Sequence, residues 1–163
     1  MKRTMTAALV AGLFTLVAFA APGAAGASER HHHHHGQSLT AQLFSLRIAT
    51  ARFHSLDATR QSGRTDLHLC MDHMGEHFAN PDTFSDGKLD PRNPEAMVYE
   101  HTRHGLRLVA VEWVSTTPGT VLGIPLHFNP DVQLWILHAW IWKFNPTGLF
   151  QDTNPLVGLC PAM

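Results

Sequence analysis

Two polar side chains interrupt strongly apolar segments of this chain. Glu112 falls in the apolar segment 106–114, and His138 falls in the tryptophan-rich apolar segment 134–142. Because side chains alternate between the two faces of a strand, each polar group shares a face with large apolar neighbours. A buried carboxylate or imidazole needs a partner. If the two segments are neighbouring strands, Glu112 and His138 meet, either as a pair that fixes the strand register or within a metal or catalytic site.

Further histidines could complete such a site. His77 lies just before a turn at Asn80-Pro81, His127 follows Pro125, and His54 lies on a predicted helix. Two or three imidazoles with one carboxylate suit Zn²⁺, and the same donors also accommodate Cu²⁺ or Fe²⁺. The predicted ligands are therefore His77, Glu112 and His138, with His54 and His127 as additional candidates.

Residues 73–77 match H-x-x-E-H, the pattern of inverzincin zinc proteases. That mechanism requires a stable helix with the glutamate as general base. Gly75 lies inside the pattern and Asn80-Pro81 follows almost at once, so we interpret the match as chance. The sequence contains no nucleophile elbow, H-E-x-x-H motif, phosphate-binding glycine loop or haem-attachment motif.

The first 27 residues have the layout of a secretory signal peptide. A basic start, Met1-Lys2-Arg3, precedes an apolar run over residues 5–20 and a small-residue exit, Ala25-Gly26-Ala27. This order predicts cleavage after Ala27 and export of residues 28–163, to the periplasm or the medium.

The mature chain would begin with a polar tail, residues 28–37, that we predict to be disordered. The tail follows an intact signal peptide and has no linker, which favours a native metal-gathering tract over an expression tag. Histidine-rich tracts bind Zn²⁺, Cu²⁺ or Ni²⁺, and an unstructured one should bind them weakly. Its five consecutive histidines are His31, His32, His33, His34 and His35.

The two cysteines, Cys70 and Cys160, predict a disulfide, since an even pair in an oxidising compartment is typically bonded. A pair of thiolate metal ligands is the alternative.

Composition excludes several classes of function. The chain is 44% hydrophobic and 15% charged, which is typical of a globular rather than a disordered protein. Its formal net charge is −1, and signal removal takes away two more cations, so nucleic-acid binding is not expected. No segment after residue 27 reaches the roughly 18 apolar residues of a membrane span, so we expect no stable membrane insertion.

The elements that must position these groups are one helix and several strands. Apolar residues at alternating spacings of four and three predict a helix from Leu39 to Gln61 with Ser38 as N-cap. Strands are predicted over 74–79, 96–100, 106–114 and 134–143, the last buried on both faces, with a helix as the alternative there. Turn-forming residues predict a long ordered loop over 81–95 and irregular structure over 116–123 and 145–160.

One helix followed by antiparallel strands indicates an α+β fold. We expect residues 38–163 to form a single globular domain, with the N-terminal helix packed on an antiparallel, barrel-like sheet that carries long ordered loops.

Several motifs resemble those of an uncharacterised family of small secreted bacterial proteins, over about residues 45–160. The resemblance implies an exported domain with marked polar positions at His77, Glu112 and His138, and it implies no activity. The motifs are Ala49-Thr50-Ala51-Arg52-Phe53-His54, Met74-Gly75-x-His77-Phe78-x-Asn80-Pro81, Leu89-Asp90-Pro91-x-x-Pro94-Glu95, Leu108-Val109-Ala110-Val111-Glu112-Trp113 and Leu137-His138-Ala139-Trp140-x-Trp142-x-x-Asn145-Pro146-x-Gly148-x-Phe150.

Three functions are compatible with these residues. The first is an exported protein that binds a transition metal, zinc or copper, or a small ligand at His77, Glu112 and His138. The second is a metal-dependent enzyme that uses Glu112 as general base. The third is a structural or interaction domain in which the glutamate and the histidines satisfy one another. The sequence does not indicate an oligomeric state.

Overall fold

The computed structural model describes residues 37–161. The predicted signal peptide and the five consecutive histidines lie outside the described residues, so those two predictions stay predictions.

The N-terminal helical segment is broken rather than continuous. α1 spans Leu39–Thr50, a 3₁₀ turn covers Ala51–His54, and α2 spans Leu56–Gln61. The prediction of one unbroken helix is therefore wrong, because Ser55 adopts an extended backbone and its hydroxyl accepts the Ala58 N–H to begin α2. Ser38 caps α1 as predicted. Within the described residues, no helix is long and apolar enough to cross a membrane.

The strands form one six-stranded antiparallel sheet and a small hairpin. The sheet has the order β1-β2-β3-β4-β8-β7 and curls into a half-barrel, which confirms the α+β class. The hairpin pairs β5 with β6. The strands are β1 Thr65–Met71, β2 Gly75–Ala79, β3 Ala96–Thr102, β4 Gly105–Ser115, β5 Thr120–Val121, β6 Ile124–Pro125, β7 His127–Asn129 and β8 Leu134–Ala139.

Two features of the sheet differ from the sequence prediction. β1 had no counterpart in the prediction, because it is an edge strand with a register shift between Asp66 and Cys70. The last apolar segment is a strand, as preferred over a helix, but it ends at Ala139. Beyond it the Trp140 N–H donates to the Leu149 carbonyl, so the chain leaves the strand ladder.

The main hydrophobic core lies between the helical segment and one face of the sheet. The Tyr99 hydroxyl donates to the Phe53 carbonyl over 2.7 Å and lies 2.6 Å from the Thr59 hydroxyl, so it ties the helices to β3. Burial of these large side chains supplies most of the drive for folding. The largest fully buried members are Leu46, Phe53, Phe78, Met97, Tyr99 and Trp113.

The loop over residues 81–95 is ordered by a buried cation. Arg64 donates from Nε to the Glu95 carbonyl over 3.1 Å and from Nη2 to Asn93 Oδ1 over 3.0 Å and to the Pro94 carbonyl. The loop carries no regular structure besides a 3₁₀ turn at Pro81–Thr83. Side-chain hydrogen bonds to its backbone therefore replace the missing strand ladder.

The C-terminal segment is joined to the end of β1 by the predicted disulfide. Cys70 and Cys160 are bonded, with a Cα–Cα distance of 5.9 Å. The Asn154 N–H also donates to the His73 carbonyl over 2.7 Å, and the His73 N–H donates to the Gly158 carbonyl over 3.2 Å. The irregular C-terminal segment is thus held at several points along its length.

We predict that reduction lowers the thermal stability of the protein. The bond joins residues 90 positions apart, and closing a loop of that length stabilises the folded state by up to roughly 4–5 kcal/mol in the chain-entropy model. Melting followed by circular dichroism, with and without a reductant, should show a lower melting temperature for the reduced protein. An unchanged melting temperature would contradict the prediction.

We also predict that Glu95 destabilises the fold at alkaline pH. Burial raises the pKa of the Glu95 carboxyl to about 7, above its ordinary value of 4.5, although the carboxylate accepts the Val114 N–H over 3.0 Å. The folded state therefore holds a proton that the unfolded state releases, and its stabilising effect is lost as the pH rises through about 7. The free energy of unfolding should fall over that range in the wild type and fall less in Glu95→Gln.

The control for this comparison is Asp131→Asn, which changes an exposed acid in a loop. Denaturant unfolding measured between about pH 5 and pH 8 should give parallel curves for this variant and the wild type. A Glu95→Gln curve parallel to both would contradict the prediction.

Candidate functional site

The structure brings the three predicted ligands together on the sheet face opposite the helices. His77 lies on β2, Glu112 on β4 and His138 on β8. Their ligand atoms all lie within 4.8 Å of one another, and each of the three residues is buried. The alternation of side chains along the strands thus correctly predicted that Glu112 and His138 lie together.

The register of the sheet explains how these side chains meet. Glu112 pairs directly with His138 across β4 and β8, and with Ala96 across β4 and β3. His77 lies two strands from Glu112 and two residues away along the strands, since its partner on β3 is Val98 rather than Ala96. The separation of the two backbones therefore exceeds the roughly 10 Å of two strand spacings. The small Ala96 on the intervening strand and the curl of the sheet leave room for the imidazole and the carboxylate to approach each other.

Gly75 places β2 close to β3 at the start of the strand. Its φ is +116°, and a Cβ there would lie 2.3 Å from the Tyr99 carbonyl oxygen. No other residue fits both the left-handed backbone and the close approach. The glycine two positions before His77 is thus needed to seat the strand that carries this ligand.

The distances within the cluster are too long for hydrogen bonds. His77 Nε2 lies 3.7 Å from Glu112 Oε2, and His138 Nε2 lies 3.5 Å from Glu112 Oε1. Good N–H···O bonds are near 2.9 Å. Donors at bond lengths of about 2.0–2.1 Å around a tetrahedral Zn²⁺ are separated by about 3.3–3.4 Å. The two separations are close to that spacing.

His138 is the least satisfied group of the cluster. Its side chain has no exposed surface, and, within the described part of the chain, neither ring nitrogen has a hydrogen-bond partner. Its ring stacks on Trp140 with a 6.2 Å centroid separation. Leaving both polar atoms of a buried imidazole unpaired is costly, so the position calls for a further partner.

Two outer contacts orient the imidazoles. His77 Nδ1 lies 2.9 Å from the Leu69 carbonyl, which fixes Nδ1 as the protonated nitrogen and leaves the Nε2 lone pair facing Glu112. On the other side, His138 Nδ1 lies 3.6 Å from Asp152 Oδ1, just beyond hydrogen-bond length. Carbonyl or carboxylate partners of this kind commonly orient metal-binding histidines.

Asp152 is the residue beside the cluster that sequence reasoning missed. It lies in the C-terminal segment, where its Oδ2 is 2.9 Å from His127 Nε2 while Oδ1 faces His138. One signal could have singled it out: between Lys143 and the chain end, Asp152 is the only aspartate, glutamate, lysine, arginine or histidine.

The surroundings shift the pKa values of the two imidazoles in opposite directions. Burial lowers the pKa of His77 despite the neighbouring Glu112. Burial also acts to lower the pKa of His138, but Glu112 and Asp152 outweigh it and raise that pKa. Burial disfavours the Asp152 carboxylate, yet His138 and His127 lower its pKa overall. The surroundings therefore favour positive charge on the His138 side of Glu112, which a metal ion can supply in place of a proton.

A cavity of about 70 Å³ opens onto His77 and Glu112. Apart from these two, Asn129 is the only polar residue among those that line it; His138 is not among them. Side-chain surface of His77 and Glu112 thus forms part of an otherwise apolar cavity wall, to which His138 and Asp152 do not contribute. The principal apolar walls are Leu67, Leu69, Phe84, Val114, Val132 and Ile136.

The two additional candidates lie elsewhere. His54 is exposed beside the helices and packs edge-on against Trp142, with ring centroids 4.5 Å apart. His127 is about half exposed and contacts Asp152, so it touches the surroundings of the cluster but not the cluster itself.

The H-x-x-E-H match forms a turn and a strand rather than the helix that a protease would need. His73 has a φ of +61°, and Glu76 and His77 are consecutive residues of β2. Consecutive strand residues point to opposite faces. Glu76 instead lies 3.3 Å from His101 and close to Cys70, whose sulfur is committed to the disulfide.

Comparison of the chain with protein-family models, with curated proteins and with solved structures gave no match. Function therefore has to be inferred from the geometry of the site.

We predict that His77 is neutral and protonated on Nδ1 at neutral pH. The Leu69 carbonyl can only accept a hydrogen bond, and burial lowers the pKa of the ring. Nitrogen chemical shifts of ¹⁵N-histidine-labelled, metal-free protein should report this tautomer, with His77→Gln identifying the resonance. A charged ring or the Nε2 tautomer would contradict the arrangement.

Proposed function

We propose that this chain is an exported protein that binds a divalent transition metal through His77, Glu112 and His138. The observation that carries the proposal is the fully buried His138. Within residues 37–161 neither of its nitrogens has a hydrogen-bond partner, and they face Glu112 on one side and Asp152 on the other. A metal ion bound to Nε2 would satisfy this nitrogen, and the Asp152 carboxylate could then accept a hydrogen bond from Nδ1–H.

Zinc is the metal that we favour. Two imidazoles and a carboxylate form a known zinc ligand set, and the Nε2–Oε separations are close to the spacing of a tetrahedral shell. Copper is the alternative, since imidazole binds it well. The histidines of residues 31–35 could collect either metal weakly.

An enzyme is the second candidate, and the cavity is the observation that favours it. Catalytic zinc sites typically keep three protein ligands and one open position, and here His77 and Glu112 both border open space. A general-base role for Glu112 would require its carboxylate to lie outside the metal shell. Each of its oxygens faces one histidine, which supports a ligand role instead.

A purely structural glutamate–histidine pair has less support. Such a pair would be hydrogen bonded and packed without space around it. Here the Nε2–Oε distances of 3.5 and 3.7 Å are longer than hydrogen bonds, and a cavity adjoins the pair.

Export is supported by two independent features. The disulfide suits an oxidising compartment, and the first 27 residues have the order of a signal peptide. We also propose membership of the family of small secreted bacterial proteins on the motifs quoted above.

Metal-induced stabilisation tests the proposed site. A folded site adds its binding free energy to stability, about 2.7 kcal/mol at a free metal concentration of 100 times the dissociation constant. Zn²⁺ should therefore raise the melting temperature of the mature chain. Deleting residues 28–37 should remove weak zinc binding and leave this thermal shift unchanged.

Substitutions at the site should have the opposite effect to the tail deletion. His138→Ala and the nearly isosteric Glu112→Gln should lose the thermal shift while the weak sites of the tail remain, as measured by calorimetry. His104→Ala, an exposed turn histidine, is the matched control and should keep the shift. Loss of all metal-dependent stabilisation on tail deletion alone would refute the internal site.

A further inference from the structure

The cavity beside the candidate metal site indicates what kind of molecule the site takes. Building on the metal site proposed above, we propose that its open position binds a short-chain monocarboxylate. One carboxylate oxygen binds the metal and the alkyl chain fills the cavity lined by His77 and Glu112.

The direction of approach follows from burial. His138 has no exposed side-chain surface and does not line the cavity, whereas His77 and Glu112 do. Asp152 lies behind His138, on its Nδ1 side. Among the described residues, the cavity is therefore the side from which a fourth ligand would reach a metal held between these three.

The charge of the site favours an anion. A divalent metal with one carboxylate ligand and two neutral imidazoles carries a net charge of +1. Asp152 adds a negative charge behind His138, where the imidazole ring separates it from the metal position. A monoanion from the cavity neutralises the metal shell, and in a poorly solvated site this pairing is much stronger than in water.

The residues that line the cavity determine the chemical character of the end of the ligand that points away from the metal. Beyond the two metal ligands, Asn129 is the only polar residue among those lining the cavity, and none of the remaining lining residues is charged. A second charged or strongly polar group on the ligand would lose its water without gaining a partner. An alkyl group has no hydrogen bonds to water to lose, and it gains contacts with Val114, Ile136 and Phe84.

The volume limits the length of the chain. A cavity of 150 Å³ holds benzene, and this one measures about 70 Å³. About three non-hydrogen atoms therefore fit, which corresponds to the alkyl chain of butyrate with its carboxylate outside on the metal.

The test uses the mature chain loaded with one equivalent of Zn²⁺, or with Co²⁺ as a coloured replacement. Acetate, butyrate, octanoate and neutral butyramide are titrated, and binding is followed by calorimetry and by the visible spectrum of Co²⁺. Butyrate should bind more tightly than acetate by about fourfold for each added methylene group. Octanoate should gain nothing over butyrate, and butyramide should bind far more weakly.

Substitutions of Val132 provide matched variants, because this half-buried loop residue lines the cavity and is not a metal ligand. Val132→Phe should reduce butyrate affinity about tenfold or more and leave acetate binding nearly unchanged. Val132→Ala should shift the preferred chain length upward by one or two carbons.

The outcomes separate this proposal from the metal site itself. The ligand proposal is wrong, and the metal site stands, if the metal binds but acetate, butyrate and octanoate bind with equal affinity. The same conclusion follows if none of the three changes the visible spectrum of bound Co²⁺. Water is then the fourth ligand. If His138→Ala retains metal-dependent stabilisation and carboxylate binding, the metal responsible is bound elsewhere and both proposals fail.

Discussion

A carboxylate buried between two imidazoles constrains the rest of this structure. Glu112 cannot leave the cluster without facing apolar neighbours on its own strand, so β4 must keep the register that pairs it with His138. The same carboxylate lies 3.7 Å from His77 across the intervening β3, where its pairing partner is the small Ala96. Slipping β4 by one residue would turn Glu112 toward the helices and bring Val111 or Trp113 to the cluster. The polar group therefore specifies one sheet alignment, whether or not it stabilises the fold.

The two faces of the sheet divide stability from chemistry. The helix-side face carries large interlocked side chains such as Phe78, Tyr99 and Trp113, which bury most of the apolar surface. The opposite face carries smaller residues around the cluster, including Ala79, Ala96 and Ala110. Small residues leave space for imidazoles and a cavity that a densely packed core would not leave. The densely packed face can thus compensate for a face that is less tightly packed and carries the candidate site.

Strand parity was enough to predict that Glu112 and His138 meet, because alternation is a local property that needs only the sequence. The break at Ser55 was missed because the apolar spacing continues across it, although a single extended residue separates the helices. β1 was missed because an edge strand with a bulge leaves weak alternation. His54 and His127 could not be assigned from sequence, since their distance from the cluster depends on how distant segments pack.

Asp152 shows why part of the site is beyond local reasoning. It faces His138 only because an irregular segment crosses this side of the sheet, and no periodic pattern determines the path of such a segment. That path is fixed instead by contacts distant in sequence: the Cys70–Cys160 bond, and hydrogen bonds of Asn154 and Gly158 with the His73 backbone. These contacts hold the chain on both sides of the β1–β2 turn, immediately before the strand that carries His77. The disulfide therefore connects the positions of two groups at the site, His77 and Asp152, and its role extends beyond limiting the unfolded chain.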